Sequence, residues 1–365
     1  MTRVVHVVVA GEVGGAERML VDLASRPHAG VEHSVALRTP SDALRRMFRD
    51  AGLRVHDRGP AREGPLPFLW STLGPRDVAW LARVLAQERA DVAHLHTFAS
   101  QVVGTRAARR SGARVLRTEH STRAYDDPSC WPFSRWSLAR ADASVAVSKH
   151  VRAVAIARAP WAAGKMHVVY DGVDTGRFAP SGEAKPSPFT FVLVGRLEPR
   201  KGVDLALEAL VSVPEARLDV VGDGQERMAL EAKARALGVA HRVRFHGQLT
   251  DTRPVLARAH AALSASRSEG MGIALLEAMA TELPVVGFAV GGVPELVDDG
   301  HTGLLCRAGD VVALSAAMRD ATAARPRLVE MGAAARTRVV ERFSVTAMCD
   351  GYARMYATLG QIAGS

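Results

Sequence analysis

The sequence predicts an α/β protein of two doubly wound, Rossmann-like domains facing a central cleft. Three observations carry this. Short apolar runs alternate with helix-like stretches, the series restarts near residue 189, and a Pro/Ser/Gly-rich stretch separates the two halves.

The first run, residues 4–10 (VVHVVVA), ends in GEVGGAE and leads into the helix-like ERMLVDLAS. Strand, glycine turn and helix in that order make a nucleotide-binding α/β unit in outline. Further runs follow at 91–96, 113–118 and 143–147, then at 189–194, 217–222, 242–246, 260–264 and 284–288. Strands alternating with helices argue for parallel sheets covered on both faces. APSGEAKPSP, residues 179–188, reads as a linker. The expected domains are therefore 1–178 and 189–343. The tail, 344–365, is expected to be a helix packing back on the first domain.

Composition sets the outer limits. At 365 residues the chain is long enough for two full cores. No apolar run reaches the roughly 18 residues that span a bilayer. The N-terminus lacks a signal-peptide cleavage pattern. Cys130, Cys306 and Cys349 are odd in number and far apart, which fits a reduced cytoplasmic protein and no metal or disulfide framework. The formal charge of +9 lies wholly in the first half: residues 1–180 carry 26 Lys/Arg against 17 Asp/Glu, and residues 181–365 carry 21 against 21. That asymmetry fits an anionic partner for the first domain, either an acceptor or the inner face of a membrane.

The most informative stretch is 265–280, ASRSEGMGIALLEAMA. Glu269 sits in a glycine-flanked turn and Glu277 follows eight residues later. A buried helix from about Met271 is expected, which puts the carboxylates roughly 12 Å apart along its axis. That span suits two groups of hydroxyls joined by a phosphate bridge. Gly270 and Gly272 let backbone amides approach an anion where the helix dipole favours it. A second motif, Gly195-Arg196-Leu197-Glu198-Pro199-Arg200-Lys201-Gly202, closes the first strand of the second domain with cations suited to phosphate. Its plain alternative is a solvated basic loop.

Weaker signals lie in the first half. Gly11, Gly14 and Gly15 form a turn that is not GxGxxG, so it is either a phosphate-approaching turn or a plain tight one. His120, in Thr118-Glu119-His120-Ser121, ends a strand where open α/β sheets bind ligands. His94 and His96 occupy a similar edge and read as structural. Tyr125, Trp131, Phe133 and Trp136 read as core packing before an acceptor platform or membrane anchor. Arg106, Arg109, Arg110, Arg114 and Arg117 read first as a solvated face, with an anionic-lipid or phosphorylated-substrate patch as the sharper alternative. No Asp-x-Asp pair occurs to hold a metal–diphosphate, and no aromatic–basic interleaving suggests nucleic acid.

Together, Gly195-Arg196-Leu197…Lys201-Gly202, Ser266-x-x-Glu269-Gly270-x-Gly272…Leu276-Glu277-Ala278-Met279-Ala280 and Gly291-Gly292-Val293-Pro294-Glu295-Leu296 resemble family-4 retaining glycosyltransferases of the GT-B fold. Gly303-Leu304-Leu305, Asp171-Gly172-Val173-Asp174, Val147-Ser148 and Gly14-Gly15-Ala16-Glu17 extend the resemblance over nearly the whole chain. The resemblance implies that Glu269 holds donor-sugar hydroxyls and Glu277 the ribose. It implies that Arg196 and Lys201 bind the diphosphate, and that amides of Gly270, Met271, Gly272 and Ile273 orient sugar and phosphate. Gly195 belongs to the same donor loop, Gln248 and Leu249 lie near the base, His120 contacts the donor sugar, and Gly14 and Gly15 approach phosphate or acceptor. Ala265, Met271, Glu282 and Asp171 stand where many members have Pro, Phe, Gly and Asn. These departures bear on donor and acceptor choice.

The implied reaction is metal-independent hexosyl transfer with retention, from a UDP-sugar first and a GDP-sugar next, to a hydroxyl acceptor. No cofactor is expected beyond the sugar nucleotide as co-substrate. The acceptor classes are cell-envelope glycolipid or polysaccharide precursors and natural products, anionic or lipid-linked acceptors included. Competing classes are a GT-B nucleotide-sugar epimerase and a non-catalytic basic module for polyanions or membrane.

Overall fold

The computed structural model describes residues 1–11, 14–26, 30–59 and 74–363. Glu12 and Val13 of the first glycine turn, and residues 364–365 of the tail, lie outside them. The chain forms two compact units. One holds residues 1–171 and the C-terminal stretch from Val345; the other holds Gly172–Ser344.

The first unit is a seven-stranded sheet of β1 (Thr2–Val9), β2 (Val31–Arg38), β3 (Arg54–Asp57), β4 (Val92–Leu95), β5 (Arg114–Glu119), β6 (Ala143–Ala146) and β7 (Met166–Val168), in the order β3-β2-β1-β4-β5-β6-β7. Every pairing is parallel. The centre of such a sheet is covered on both faces, so its strands are apolar almost throughout. In β1, Val4, Val5, Val7 and Val8 are all buried, with His6 buried among them. Short polar caps set the helix starts that follow the strands. Thr97 accepts from the Ser100 amide ahead of the helix Phe98–Ser111, and Ser148 accepts from the Val151 amide ahead of Lys149–Arg158. The last helix, Val345–Ala363, lies in this unit. Its Tyr352 and Tyr356 are buried and hydrogen-bonded to Thr118 (3.1 Å) and His94 (2.8 Å).

The second unit has six parallel strands, β8 (Phe189–Val194), β9 (Ala216–Val221), β10 (Val243–Gly247), β11 (Ala261–Ser264), β12 (Val285–Phe288) and β13 (Gly303–Cys306), in the order β10-β9-β8-β11-β12-β13. Periodicity did not single out β2, β3, β7 and β13. β3, β7 and β13 are edge strands of three or four residues, and half-buried polar side chains dilute the first part of β2.

Two expectations need correcting. The units divide at Asp171/Gly172 and not at 179–188, which lies within the second unit. Residues 172–178 belong there because the Val173 amide donates to the Phe343 carbonyl (3.0 Å) and Arg336 donates to the Phe178 carbonyl (3.2 Å). The helix of the acidic motif begins at Ile273, not near Met271. Its N-cap Gly272 has φ 97°, a left-handed conformation that cannot continue a right-handed helix. Glu269 therefore lies in the loop 265–272 between β11 and the helix, and the helical ruler covers only part of the way to Glu277.

In each sheet the strand order reverses at one place, between β1 and β4 and between β8 and β11. Ligands of open α/β sheets bind beyond the strand C-termini at this switch point. Because β8 pairs with β11, the loops that follow them, 195–202 and 265–272, are neighbours. They interlock closely. A Cβ on Gly202 would lie 1.9 Å from the Ala265 carbonyl oxygen, and the Arg267 amide donates to the Arg200 carbonyl (2.8 Å). The turn after β12 joins them, since the Gly292 amide donates to the Glu269 carbonyl (3.1 Å). Gly291 has φ 55°, and a Cβ there would lie 1.8 Å from the same oxygen. Gly291→Ala combines a strained backbone with this overlap and is expected to destabilise the chain by about 2–4 kcal/mol. Urea unfolding checks it, and an unchanged midpoint would refute the interlock.

Candidate functional site in the second unit

The crevice at the β8/β11 switch point is lined by Val194, Lys201, Ser264, Ser266, Glu269, Gly272 and Leu275, among others. Lys201 stands in a single 3-10 turn, Pro199–Lys201, and its aliphatic stem crosses Gly195. A side chain at position 195 would press on that stem, because an ideal Cβ there lies 3.2 Å from the lysine Cε. Lys201 Nζ donates to Glu269 Oε2 at 2.5 Å, and both side chains are largely buried. The crevice thus pairs a cation with a carboxylate under partial desolvation, where hydrogen-bonded charges interact more strongly than in water.

The other predicted residues are distributed around this pair. Arg196 lies in the same loop but is half exposed, and its Nε pairs with Glu198 at 3.1 Å. Arg200 pairs with the other Glu198 oxygen at 2.8 Å. Burial would raise the Glu198 pKa, but the hydrogen bond from Arg200 and the neighbouring cations overcome it and hold the carboxyl low. Gly270 and Met271 are buried in the turn, and Ile273 opens the helix. Glu277 is buried on that helix. Gln248 and Leu249 directly follow β10, exposed and half-buried respectively. Arg267 and Asp204, absent from the sequence-derived set, pair in a fork beside the crevice at 2.8 and 2.7 Å.

Gly14, Gly15 and His120 belong to the first unit. Gly14 caps the helix Gly15–Ser25, its amide donating to the Glu17 side chain at 2.9 Å. His120 follows β5 at the ligand-binding edge. Both its ring nitrogens are buried without a partner, and burial pushes its pKa down to about 4. His6, His94 and His96 cluster beside it. Among the described residues these three bring one ring nitrogen each within 4.8 Å of one another. Hydrogen bonds already occupy both nitrogens of His6, to His96 (3.0 Å) and His33 (2.9 Å), and both of His94, to Tyr356 (2.8 Å) and Thr118 (2.7 Å). The cluster is held by two separate sets of hydrogen bonds, and His96 Nδ1 is buried without a partner.

The basic run of the first half divides. Arg109 and Arg110 occupy the last turn of the helix Phe98–Ser111, where its dipole favours cations. Arg114 pairs with Asp142 (3.0 Å) at the surface, whereas Arg117 is a buried partner of Glu119 (2.8 Å) and does not belong to a solvated patch. Tyr125 is fully buried, and Trp131, Phe133 and Trp136 are half-buried. No helix among the described residues is long and apolar enough to cross a membrane.

Burial holds the pKa of His6, His94, His96 and His120 below 6.5. A histidine whose folded pKa is depressed is stabilising above its unfolded pKa, and that contribution is lost as pH falls through and below about 6.5. The thermal midpoint is therefore expected to fall by several degrees between pH 7 and 5, before most carboxylates titrate. A flat midpoint over that range would contradict the buried, neutral cluster.

Comparison with known proteins adds a family. Residues 13–177 match the family described as Glycosyltransferase Family 4, and residues 175–338 match Glycosyl transferases group 1. The chain is 36% identical over 259 residues to a GDP-mannose-dependent α-(1-6)-phosphatidylinositol monomannoside mannosyltransferase of Mycolicibacterium smegmatis, covering 63% of this chain and 66% of that protein. That span is just under two thirds of the relative's length. The protein of the same name from Mycobacterium tuberculosis is 31% identical over 355 residues, covering 88% of this chain and 89% of its own. The structure of Anabaena HepE with UDP and glucose superposes with a TM-score of 0.85 at 22% identity, covering 98% of this chain and all of that one, a likeness of fold. With two adjoining family matches, and a relative above 30% identity matched along most of both chains, the chain belongs to glycosyltransferase family 4 and has the GT-B fold.

Proposed function

We propose that this protein transfers a hexose-type sugar from a nucleoside-diphosphate sugar to a hydroxyl acceptor with retention of configuration. The observation that carries the proposal is the Lys201–Glu269 pair in the switch-point crevice. A cation for a diphosphate and a carboxylate for sugar hydroxyls stand side by side there. The named relatives support GDP-mannose as one donor to test, and a HepE structure in complex with UDP-glucose supports that sugar nucleotide as another. Their names also support a glycolipid acceptor class, with cell-envelope polysaccharide precursors beside it.

Departure of the leaving group is the physical problem. As the bond from sugar C1 to the β-phosphate oxygen stretches, negative charge builds on that phosphate. Lys201, and Arg196 once it turns from Glu198, meet that charge electrostatically. Amides at the start of the helix Ile273–Ala280 add their dipoles. Neutralisation by side chains needs no metal. The acceptor oxygen attacks C1 on the face the phosphate leaves, and its proton passes to the departing phosphate oxygen. One C–O bond breaks, another forms, and the anomeric configuration is kept. Glu269 orients the sugar, and Glu277 binds the ribose.

A thermal-shift screen of GDP-mannose, UDP-glucose and an ADP-sugar is expected to raise Tm for one donor base, because a ligand that binds only the folded state stabilises it. No shift with any of them would count against the donor site. With the donor found, Lys201→Ala and Arg196→Ala are expected to lower kcat by roughly 10²–10³-fold, as losing an oxyanion donor does. Near-normal turnover in either would remove that residue from the mechanism. Glu277→Ala is expected mainly to raise donor KM. Proton NMR of the product is expected to show the donor's own anomeric configuration; an inverted product would overturn retention.

A further inference from the structure

We propose that Arg267 and Asp204 form a clamp that fixes Lys201 relative to Glu269, and that both are positioning residues for donor cleavage. This rests on the donor reading above. The Arg267 guanidinium donates through Nη1 and Nη2 to the two Asp204 carboxylate oxygens at 2.8 and 2.7 Å. Nη1 also donates to the Pro199 carbonyl (2.6 Å), and the Arg267 main-chain amide donates to the Arg200 carbonyl (2.8 Å). One residue therefore grips the 199–204 turn at three points. Arg267 precedes Glu269 by two positions and Asp204 follows Lys201 by three, so the clamp brackets the ion pair on both strands of the crevice.

Its chemistry suits positioning more than stability. Arg267 and Asp204 side chains are 43% and 25% exposed, and ion pairs so open to water contribute little to folding. The fork fixes orientation, which a single point charge does not. The hydrogen bond from Arg267, ahead of opposing burial, holds the Asp204 carboxyl below the usual range, so the fork persists at neutral pH. Glu226 also acts on Arg267, and Lys233, 3.9 Å from Asp204, and Glu208, bonded to Lys233, lie beside the fork. Neither Lys233 nor Glu208 reaches the 199–201 backbone in place of Arg267. With Gly202 pressed on the Ala265 carbonyl, the two loops have one close register, and the fork is what holds it from outside the crevice.

The test uses the full chain and release of nucleotide from GDP-mannose or UDP-glucose, with water as the uncoupled acceptor. Arg267→Ala and Asp204→Asn are each expected to lower kcat about tenfold, and Arg267→Lys, which keeps charge but not the fork, about threefold. Kd for GDP or UDP is expected to stay within about threefold and Tm within about 2 °C, since the pair is exposed. Turnover of Arg267→Ala within about twofold of wild type, alongside an impaired Lys201→Ala, would overturn the clamp and leave the donor reading standing. An unimpaired Lys201→Ala would overturn the donor reading itself. A kcat loss that follows a matching fall in Tm would reduce the pair to a structural tie and also overturn the proposal.

Discussion

The candidate site depends on one constraint, the parallel pairing of β8 with β11 at the point where strand order reverses. Three α-helices and two further strands lie between the loops that follow these strands in the chain. Pairing Phe191 with Ala261 and Val192 with Ala262 fixes both strand ends at one edge, and Lys201 meets Glu269 across 68 positions of sequence. What surrounds that contact follows from it. Gly195 is small so that the lysine stem can cross it, and Gly202 is small because the Ala265 carbonyl lies against it. Replacing Lys201 alone would leave the Glu269 charge partly buried and unpaired, the costly way to break such a pair.

The first unit uses polar groups differently. His6 lies opposite His94 in the β1–β4 register, in a pair of strands whose other buried residues are Val, Ala and Leu. Buried neutral imidazoles are tolerable when each ring nitrogen has a partner, since a neutral ring carries one donor and one acceptor. In the chain His33–His6–His96 both nitrogens of His6 meet that rule in either direction of the protons, while His96 Nδ1 breaks it, buried without a partner. A separate set of bonds joins His94 to Tyr356 and Thr118, and Thr118 to Tyr352, so the C-terminal helix is tied to the central strands by directional bonds as well as packing.

What the sequence disclosed tracks how local each signal is. Central strands such as VVHVVVA and FTFVLV announce themselves because burial on both faces makes them apolar runs. Edge strands of three or four residues, with one neighbour each, carry no such run. The acidic turn was legible because glycine and glutamate stand together within a few positions. Arg267 and Asp204 were not, because each alone is an ordinary surface charge and their pairing exists only once β8 and β11 are adjacent. Arg196 read as a phosphate ligand by position, and the motif alone did not reveal its ion pair with Glu198, two residues away. Arg117 read as part of a basic surface because a charge count cannot see that Glu119, on the same strand, is its buried partner.

The Lys201–Glu269 pair also bears on ligand choice. An anion without hydroxyls draws Lys201 away and leaves the Glu269 carboxylate partly buried with no donor, a cost of the order of 1–3 kcal/mol. A free sugar offers hydroxyls to Glu269 but nothing anionic to Lys201, which gains nothing by leaving its carboxylate. A ligand that carries both, a phosphate bridge bonded to a sugar, satisfies both partners as it separates them. On the proposed donor function, the ion pair would act as a two-part check that favours an intact sugar nucleotide over either of its halves. Such discrimination comes from the penalty on incomplete ligands, and it needs the two charges held in register before the ligand arrives.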